Sequence, residues 1–167
     1  MEKFYFADNE IDGIKFCVIT SSRGIRNISF HSLNKKFAAD SLTRLRPNDP
    51  YLYNSFKQLS EYFSLRRKVF NLKLDLVGTE FQIRVWNELL KIPYGKVISY
   101  KELALRLGNI SLIRAVGRAN GANPIPIVIP CHRVIGANGK LVGYGGGLKI
   151  KEKLLELEGS RSLELFN

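Results

Sequence analysis

The sequence predicts an α+β protein with an N-terminal α/β domain and a mostly helical C-terminal domain. Strand-forming residues dominate two neighbouring runs in the first half of the chain, Ile14–Thr20 and Ile25–Phe30. The second half instead contains two helix-start patterns, Thr79–Gln82 and Ser99–Glu102, in which a hydroxyl residue precedes Gln or Glu by three positions. Apolar residues at helical spacing follow each pattern, so this half is predicted to be helical.

The elements of the first half predict a hairpin, a helix and a further strand. The turn-forming segment Ser21–Gly24 separates the two strand runs and therefore predicts a hairpin. Behind Pro50, large apolar residues recur at helical spacing; these are Leu52, Phe56, Leu59 and Phe63. From Phe70 to Leu76 apolar and other residues alternate, as in a half-buried strand. Gly78 marks the predicted boundary between domains of residues 1–77 and 78–167.

Three helices are predicted after this boundary, and the last two form a helix-turn-helix pattern. The first places Phe81, Val85 and Leu89 on one face and stops at Pro93–Gly95. The second opens at Ser99–Glu102.

A turn at Gly108-Asn109 follows, and Ser111 is a candidate cap for a third helix over Leu112–Asn120. Two short helices joined by a glycine-containing turn are typical of helix-turn-helix proteins, although many helical domains contain such a pair by chance.

The third predicted helix combines small residues with two arginines. Arg114, Ala115, Gly117 and Arg118 lie within five positions, and a glycine inside a helix costs about 1 kcal/mol relative to alanine. Two interpretations fit this composition. The helix could lie against a nucleic-acid backbone with its arginines on phosphate, or it could pack closely within a core with the arginines in solvent.

The charge of the chain favours a polyanionic partner. The formal net charge is +11 and the isoelectric point is about 9.8, which suits nucleic acid or an anionic membrane surface without choosing between them. No apolar run approaches the roughly 20 residues of a membrane span. Cys17 and Cys131 are the two cysteines, and without an export signal or disulfide framework we expect a reducing cytoplasm. Their spacing to the two histidines does not match a zinc site, so no metal is expected.

The segment Asn123–Val134 carries the predicted chemistry. Three prolines within seven residues exclude a helix and most ladder pairing, so an extended, stiff and apolar chain is expected to present Cys131 and His132. A cysteine nucleophile acts as the thiolate, and the neighbouring His132 and Arg133 offer a base and a cation. Adjacent side chains of an extended chain point in opposite directions, so a bridging water is more plausible than direct contact between Cys131 and His132.

This segment resembles the active-site signature of the O6-alkylguanine-DNA alkyltransferases. The residues that carry the resemblance are Pro130-Cys131-His132-Arg133-Val134. Further matches follow in family order, at Gly78–Gln82, Ile92–Gly95, Ser99-Tyr100, Arg114–Gly117, Asn123-Pro124, Gly143–Gly147 and Leu154–Gly159. The resemblance therefore covers about Gly78 to Gly159, whereas the first half is similar only in length and in its order of hairpin and helix.

The resemblance implies five catalytic residues. Cys131 is the alkyl acceptor, His132 its base through a water, and Glu158 the carboxylate that orients His132. Asn123 braces the turn beside the active site. Tyr100 donates a proton or hydrogen bond to the guanine ring as the leaving group gains charge.

It also implies how DNA and base are held. The expected DNA contacts come from Ser99, Arg114, Ala115, Gly117 and Arg118, with Arg114 filling the space of a flipped base. Tyr144 and the backbone around Gly145 shape the pocket, and the carbonyls of Cys131 and Val134 read the exocyclic amine of guanine. Gly145 stands where many relatives have serine, so its N–H remains available but any contact of a serine hydroxyl is lost.

The remaining implications concern fold, partner and turnover. The resemblance implies a ribonuclease H-like N-terminal domain and a winged helix-turn-helix that binds double-stranded DNA through the minor groove. It implies a monomer without cofactor or metal, which moves a methyl or larger alkyl group once per molecule. Activity on O4-alkylthymine stays open.

Three rival functions remain at this point. They are a relative that binds alkylguanine without removing it, a winged-helix transcription factor, and a Cys-His-Glu hydrolase. The first lacks an acceptor cysteine, the second leaves the Pro130–Val134 signature unexplained, and the third would turn over many times.

Overall fold

A computed structural model describes residues 2–31, 33, 37 and 42–160 of the 167-residue chain. Its backbone contacts divide the chain into two compact units, Met1–Val77 and Gly78–Asn167. Across the part of the chain that the structure describes, no helix combines the length and apolar character that a membrane crossing requires.

The first unit contains a four-stranded sheet. Its strands in chain order are β1 (Phe4–Ile11), β2 (Ile14–Ser21), β3 (Gly24–Phe30) and β4 (Leu42–Arg44). Their order across the sheet is β3-β2-β1-β4, with β4 parallel to β1 and the other pairs antiparallel. The predicted hairpin of β2 and β3 is confirmed. Strand β1 was not predicted, although its connection to β2 is an Asp12-Gly13 turn with both φ angles positive, the two-residue turn that favours hairpins.

Helix α1 (Tyr53–Phe63) supplies the apolar side chains of this unit, as its spacing predicts. Leu52, Phe56 and Leu59 are buried, and the ring centroid of Phe63 lies 5.8 Å from that of Phe16 in β2. Burial of such a stripe is the main stabilising contribution of an amphipathic helix.

The predicted strand from Phe70 to Leu76 is wrong. Only one isolated bridge, between Leu74 and Ile25, pairs this segment with the sheet. Asp75 is 5% exposed and lies against Arg26, with Oδ2 2.8 Å from Nη1, so a buried ion pair fixes the chain where a ladder was expected. Half-buried and exposed residues alternate from Phe70 to Leu74, but the alternation ends at the buried Asp75.

The second unit is mostly helical. Its elements are α2 (Glu80–Leu90), β5 (Ile98–Ser99), α3 (Tyr100–Arg106), α4 (Ile113–Gly121), β6 (Val134–Ile135) and α5 (Leu148–Leu157). Strands β5 and β6 pair in parallel. The capping box predicted for α2 is present, since the Thr79 hydroxyl accepts from the Gln82 backbone and the Gln82 side chain accepts from the Thr79 backbone. Trp86 of α2 is buried and donates through Nε1 to the Ala119 carbonyl of α4 at 2.9 Å.

Helices α3 and α4 form the predicted helix-turn-helix, but their caps differ from the expectation. Ser99 accepts from the backbone of Glu102 at 3.0 Å, while the Glu102 carboxylate pairs with Arg106 instead of completing a capping box. Ser111 does not cap α4. Its backbone donates to the side chain of Asn109 at 2.9 Å, within a 3₁₀ turn over Ile110–Leu112, and α4 begins without a side-chain cap.

The proline-rich segment before β6 is not simply extended. Ile127 has a φ of 73°, and the Ile129 backbone donates to Ile125 at 2.9 Å, so the chain folds back on itself. A single 3₁₀ turn over Cys131–Arg133 follows, and β6 continues from it beside β5. Proline blocks a regular helix here, yet one tight turn after Pro130 remains accessible because it needs few backbone hydrogen bonds.

Candidate active site

Cys131 begins the 3₁₀ turn and is 5% exposed. The loop in front of it is braced by Asn123, whose Nδ2 donates to the Ile129 carbonyl at 2.8 Å. The Oδ1 of Asn123 accepts from the Ile125 backbone at 3.0 Å. The backbone of Cys131 itself donates to Ile129 at 2.8 Å. One side chain thus fixes both limbs of the loop that delivers the thiol.

The thiol of Cys131 is protonated at rest. Burial raises its pKa to about 11, against the opposing effects of a hydrogen bond with Asn123 and the charge of Lys151. The sequence suggested a thiolate prepared by neighbouring groups. With the raised pKa, the sulfur becomes a nucleophile only if a base takes its proton.

His132, the residue after Cys131, forms a buried pair with Glu158. Nε2 of His132 lies 2.9 Å from Oε1 of Glu158, and both side chains are inaccessible to solvent. Glu158 follows the last residue of α5, so the end of that helix carries the carboxylate to the 3₁₀ turn. Its Oε2 also accepts from the Gly95 backbone at 3.1 Å.

Ionisation of the Glu158 carboxyl fixes the tautomer of the neutral imidazole. Burial alone would raise the pKa of the Glu158 carboxyl, but hydrogen bonds from His132 and Arg133 outweigh it and lower that pKa to about 2. Burial lowers the pKa of His132, and Glu158 opposes this only in part. A neutral imidazole beside a carboxylate carries its proton on Nε2. Nδ1, which has no hydrogen-bond partner among the residues described, keeps the lone pair of a base.

Arg133 serves the carboxylate and not the sulfur, unlike the cation that the sequence suggested for Cys131. Its Nε and one terminal nitrogen each lie 2.9 Å from Glu158 oxygens, and Nη1 donates to the Ile92 carbonyl at 2.6 Å. A buried carboxylate needs compensation for its lost hydration, and this two-point contact supplies it.

Lys151 is a buried cation that sequence reasoning missed. Its Nζ donates to the carbonyls of Val134 at 2.7 Å and Val142 at 3.0 Å, so it joins β6 to the segment before α5. Burial lowers its pKa to about 8, and Cys131 partly opposes this. A signal was available: Lys151 shares one face of α5 with Leu154 and Leu155, where an apolar residue is expected.

Tyr100 lies at the wall of an open cleft of about 600 Å³. Burial and the nearby Cys131 raise the pKa of its hydroxyl, which accepts a hydrogen bond from Asn120 at 3.3 Å. Helix α4 and the glycine-rich segment form the remaining walls, with Ile113, Arg114, Gly117, Arg118, Gly121, Val142, Gly143, Tyr144 and Gly145.

The structure therefore divides the residues expected at the site into groups. Asn123 and Tyr100 lie near the thiol of Cys131, and His132, the next residue in the chain, is paired with Glu158. Those that line the cleft are Arg114, Gly117, Arg118, Tyr144 and Gly145.

Three expected residues lie elsewhere. Ala115 is half-buried and does not line the cleft. The Ser99 hydroxyl is engaged as the cap of α3, and Val134 is buried with its carbonyl on Lys151.

Comparison with known proteins identifies the family. Residues 80–160 match the family model described as 6-O-methylguanine DNA methyltransferase, DNA binding domain. Residues 15–76 match the model described as the ribonuclease-like domain of the same methyltransferase.

Two relatives carry the name methylated-DNA--protein-cysteine methyltransferase. The Methanosarcina acetivorans protein is 49% identical over 138 residues, covering 82% of this chain and 86% of the relative. The Mycobacterium bovis protein is 52% identical over 130 residues, covering 76% and 79%.

Solved structures agree with this relationship along almost the whole chain. The crystal structure of Mycobacterium tuberculosis O6-methylguanine methyltransferase has a TM-score of 0.84 at 39% identity, over 98% of this chain and 99% of that one. A structure of the protein from the same organism in complex with DNA gives 0.83 at 40% identity, with the same coverage. The chain belongs to the 6-O-methylguanine DNA methyltransferase family.

Proposed function

We propose that this protein repairs DNA by direct reversal, moving a methyl or larger alkyl group from O6 of guanine onto Sγ of Cys131. The observation that carries the proposal is the buried thiol of Cys131, which shares a 3₁₀ turn with a histidine paired to an ionised carboxylate. The named activity of the Methanosarcina and Mycobacterium relatives supports the same assignment.

The proton of the thiol goes to Nδ1 of His132 through a water molecule. This step is supported by the engagement of Nε2 with Glu158, which leaves Nδ1 as the basic nitrogen. The imidazolium that forms is stabilised by the carboxylate beside it. The resulting thiolate of Cys131 attacks the alkyl carbon, a C–S bond forms, and the C–O6 bond breaks with its electron pair on guanine.

Tyr100 assists departure of the base. Its hydroxyl donates to the guanine ring as negative charge develops there. In the overall reaction guanine thereby gains one proton and the thiol loses one. Asn123 keeps the loop before Cys131 in place, which is supported by its two hydrogen bonds within that loop. The thioether is stable, so each molecule acts once, without metal or cofactor.

The base reaches Cys131 only after extrusion from the duplex, and α4 is the proposed DNA-contacting helix. Arg114 and Arg118 are exposed on its surface, while Ala115 and Gly117 leave room for close approach to the minor groove. Arg114 occupies the space of the flipped nucleotide and Arg118 meets phosphate. Ser99 contributes a backbone contact, since its hydroxyl caps α3.

The flipped base enters the cleft beside Tyr100. Tyr144 and Gly145 shape its wall, and the carbonyls of Cys131 and Val134 read the exocyclic amine of guanine. The Val134 carbonyl also accepts from Lys151, and its second lone pair serves this purpose. Gly145 provides a backbone N–H but no hydroxyl.

The proposed assembly is a cytoplasmic monomer on double-stranded DNA. Residues 1–77 form a separate domain, and residues 78–167 carry both chemistry and DNA binding. The net charge of +11 supports binding through phosphate contacts with little dependence on sequence.

The test is a titration of protein against an excess of duplex that contains O6-methylguanine. Repair that stops at one methyl group per protein supports the proposal. Sustained turnover contradicts it and favours a hydrolase, and binding without loss of the methyl group favours a recognition protein.

A further inference from the structure

The hydroxyl of Tyr100 meets a side chain that the proposed mechanism does not use. Nδ2 of Asn120, in the last turn of α4, lies 3.3 Å from the Tyr100 oxygen at the start of α3. Asn120 is 4% exposed, whereas Tyr100 is half-buried at the wall of the cleft. This hydrogen bond joins the two helices of the helix-turn-helix at the residue that is proposed to face the leaving base.

Stability does not explain an asparagine at this position. Oδ1 of Asn120 is buried and has no hydrogen-bond partner among the residues that the structure describes. A buried carbonyl without a partner is destabilising, and asparagine is a poorer helix former than leucine. Its neighbours Val116 and Ala119 are buried and apolar, so a leucine would suit the surroundings better.

The same face of α4 also lies near the ring of Tyr100, at Gly117. A Cβ atom added to Gly117 would lie 4.0 Å from Cε1 of Tyr100, which is ordinary van der Waals distance. Gly117 and Asn120 are three residues apart and therefore neighbours on the helix surface. Helix α4 thus approaches the ring at Gly117 and contacts the hydroxyl through Asn120.

We propose that Asn120 is a positioning residue that holds the Tyr100 oxygen, so that the hydroxyl proton is directed at the guanine ring while the C–O6 bond breaks. A phenol oxygen that accepts from an amide N–H keeps its own hydrogen for another acceptor. The inference rests on the proposed function. The electron pair of the broken bond stays on guanine, the proton comes from Tyr100, and the proton held by His132 restores the hydroxyl.

The charge that develops on Tyr100 determines how strongly the hydrogen bond from Asn120 should affect the transfer rate. A phenol that shares its proton gains negative charge, and a neutral donor beside it stabilises that charge. Burial and the nearby Cys131 raise the pKa of Tyr100, while the hydrogen bond from Asn120 lowers it. Loss of a hydrogen bond to a charged group corresponds to a rate decrease of about 10- to 100-fold.

The experiment compares Asn120→Leu and Asn120→Asp in the full-length protein, each with and without Tyr100→Phe. Single-turnover transfer from O6-methylguanine duplex, the melting temperature and the ultraviolet titration of Tyr100 are measured for all of them. Asn120→Leu removes both amide groups. Asn120→Asp keeps the volume but turns the partner into an acceptor, which draws the Tyr100 proton away from guanine.

We expect Asn120→Leu to slow transfer by about 10- to 100-fold without lowering the melting temperature. Asn120→Asp slows transfer at least as much and raises the pKa of Tyr100. In the Tyr100→Phe background neither substitution slows transfer further, because a double-mutant cycle isolates the pair.

Equal slowing in the presence and absence of the Tyr100 hydroxyl overturns the inference, and so does a wild-type rate for both variants. If Asn120→Leu does not fold, the Asn120→Asp arm decides by the same criteria. Failure of the proposed function gives a different result, because the unsubstituted protein then transfers nothing to Cys131. In that case the titration of Tyr100 still shows whether Asn120 holds its hydroxyl.

Discussion

The carboxylate of Glu158 lies 2.9 Å from Nε2 of His132, although 26 residues separate them in the chain. Because the pKa of Glu158 is lowered to about 2, the carboxylate is ionised and holds the imidazole proton on Nε2. The other ring nitrogen is thereby kept as the base. Arg133 binds the same carboxylate, so one buried anion is shared between a guanidinium and an imidazole.

Replacement of Glu158 by glutamine is expected to slow alkyl transfer roughly 100-fold, since a neutral amide does not stabilise the imidazolium. DNA affinity should stay unchanged because the Glu158 side chain is inaccessible to solvent. Single-turnover kinetics and a binding titration measure the two effects. The matched control is Glu88→Gln, which removes a carboxylate that pairs with Lys91. This variant should react at the normal rate. A normal rate for Glu158→Gln as well removes Glu158 from the mechanism.

The same carboxylate should make stability depend on pH. Its folded pKa of about 2 lies below the unfolded value of ~4.3, so the folded state binds fewer protons between them. The stabilisation, roughly 3 kcal/mol, is complete above the unfolded pKa and is lost as pH falls towards the folded one.

Urea unfolding followed by the fluorescence of Trp86, the single tryptophan, measures this in the second unit. The difference in the free energy of unfolding between the original protein and Glu158→Gln should shrink from pH 6 to pH 3. A difference that is independent of pH contradicts the assigned ionisation.

Arg114 and Arg118 should respond differently to alanine substitution, although both are exposed on α4. Extrusion of a nucleotide costs a few kcal/mol, and a side chain that fills the gap recovers part of it. Arg114→Ala should therefore slow repair of duplex DNA much more than reaction with free O6-benzylguanine. Arg118→Ala should mainly weaken DNA binding and reduce its salt dependence, as loss of a phosphate contact does.

Rates with duplex and free base are compared for both variants, together with DNA affinity at several salt concentrations. Equal slowing of the duplex and free-base reactions by Arg114→Ala shows that Arg114 supports the pocket or the fold. In that case it does not replace a flipped base.

Gly24, at the start of β3, should tolerate substitution less well than Gly13 in the β1–β2 turn. Its φ is +143°, and an added Cβ would lie 2.4 Å from the backbone oxygen of Lys73. Gly24→Ala is expected to destabilise the first unit by about 1–3 kcal/mol or more, because backbone strain adds to a clash that no side chain can relieve. Gly13→Ala, with φ of +74° and no atom near its Cβ, should cost only about 1–2 kcal/mol. Urea unfolding followed by circular dichroism measures both, and equal losses contradict the account.

Local sequence patterns predicted the elements whose signals lie within a few residues. The capping box at Thr79 and the apolar spacing of α1 are of this kind, and both are present. Strand β1 escaped prediction because Asp8, Asn9 and Glu10 are poor strand formers, and pairing with β2 over its length overrides that preference. The strand predicted near Leu74 is wrong for a related reason. Alternation of apolar residues does not reveal whether a partner strand lies alongside.

The candidate site divides in the same way. The Pro130–Val134 signature located the thiol and the histidine, whereas the partners of Arg133 and Lys151 come from distant turns and could not be read from spacing. The resting protonation of Cys131 was also inaccessible, because it depends on how deeply the fold buries the sulfur. Asn120 lay within a predicted helix, but only the structure brings its amide to Tyr100.

The central claim is that Cys131, and not Cys17, becomes alkylated once. Cys17 is an internal control, because it is fully buried and its pKa is raised by burial and by Asp8 to about 12. The most direct measurement is the intact mass of the protein after exposure to duplex with O6-methylguanine, followed by mapping of the modified peptide. We expect a gain of one methyl group on Cys131, and no gain for Cys131→Ser, which still binds DNA. A methyl group on Cys17, or loss of methyl from DNA with the protein mass unchanged, would contradict it.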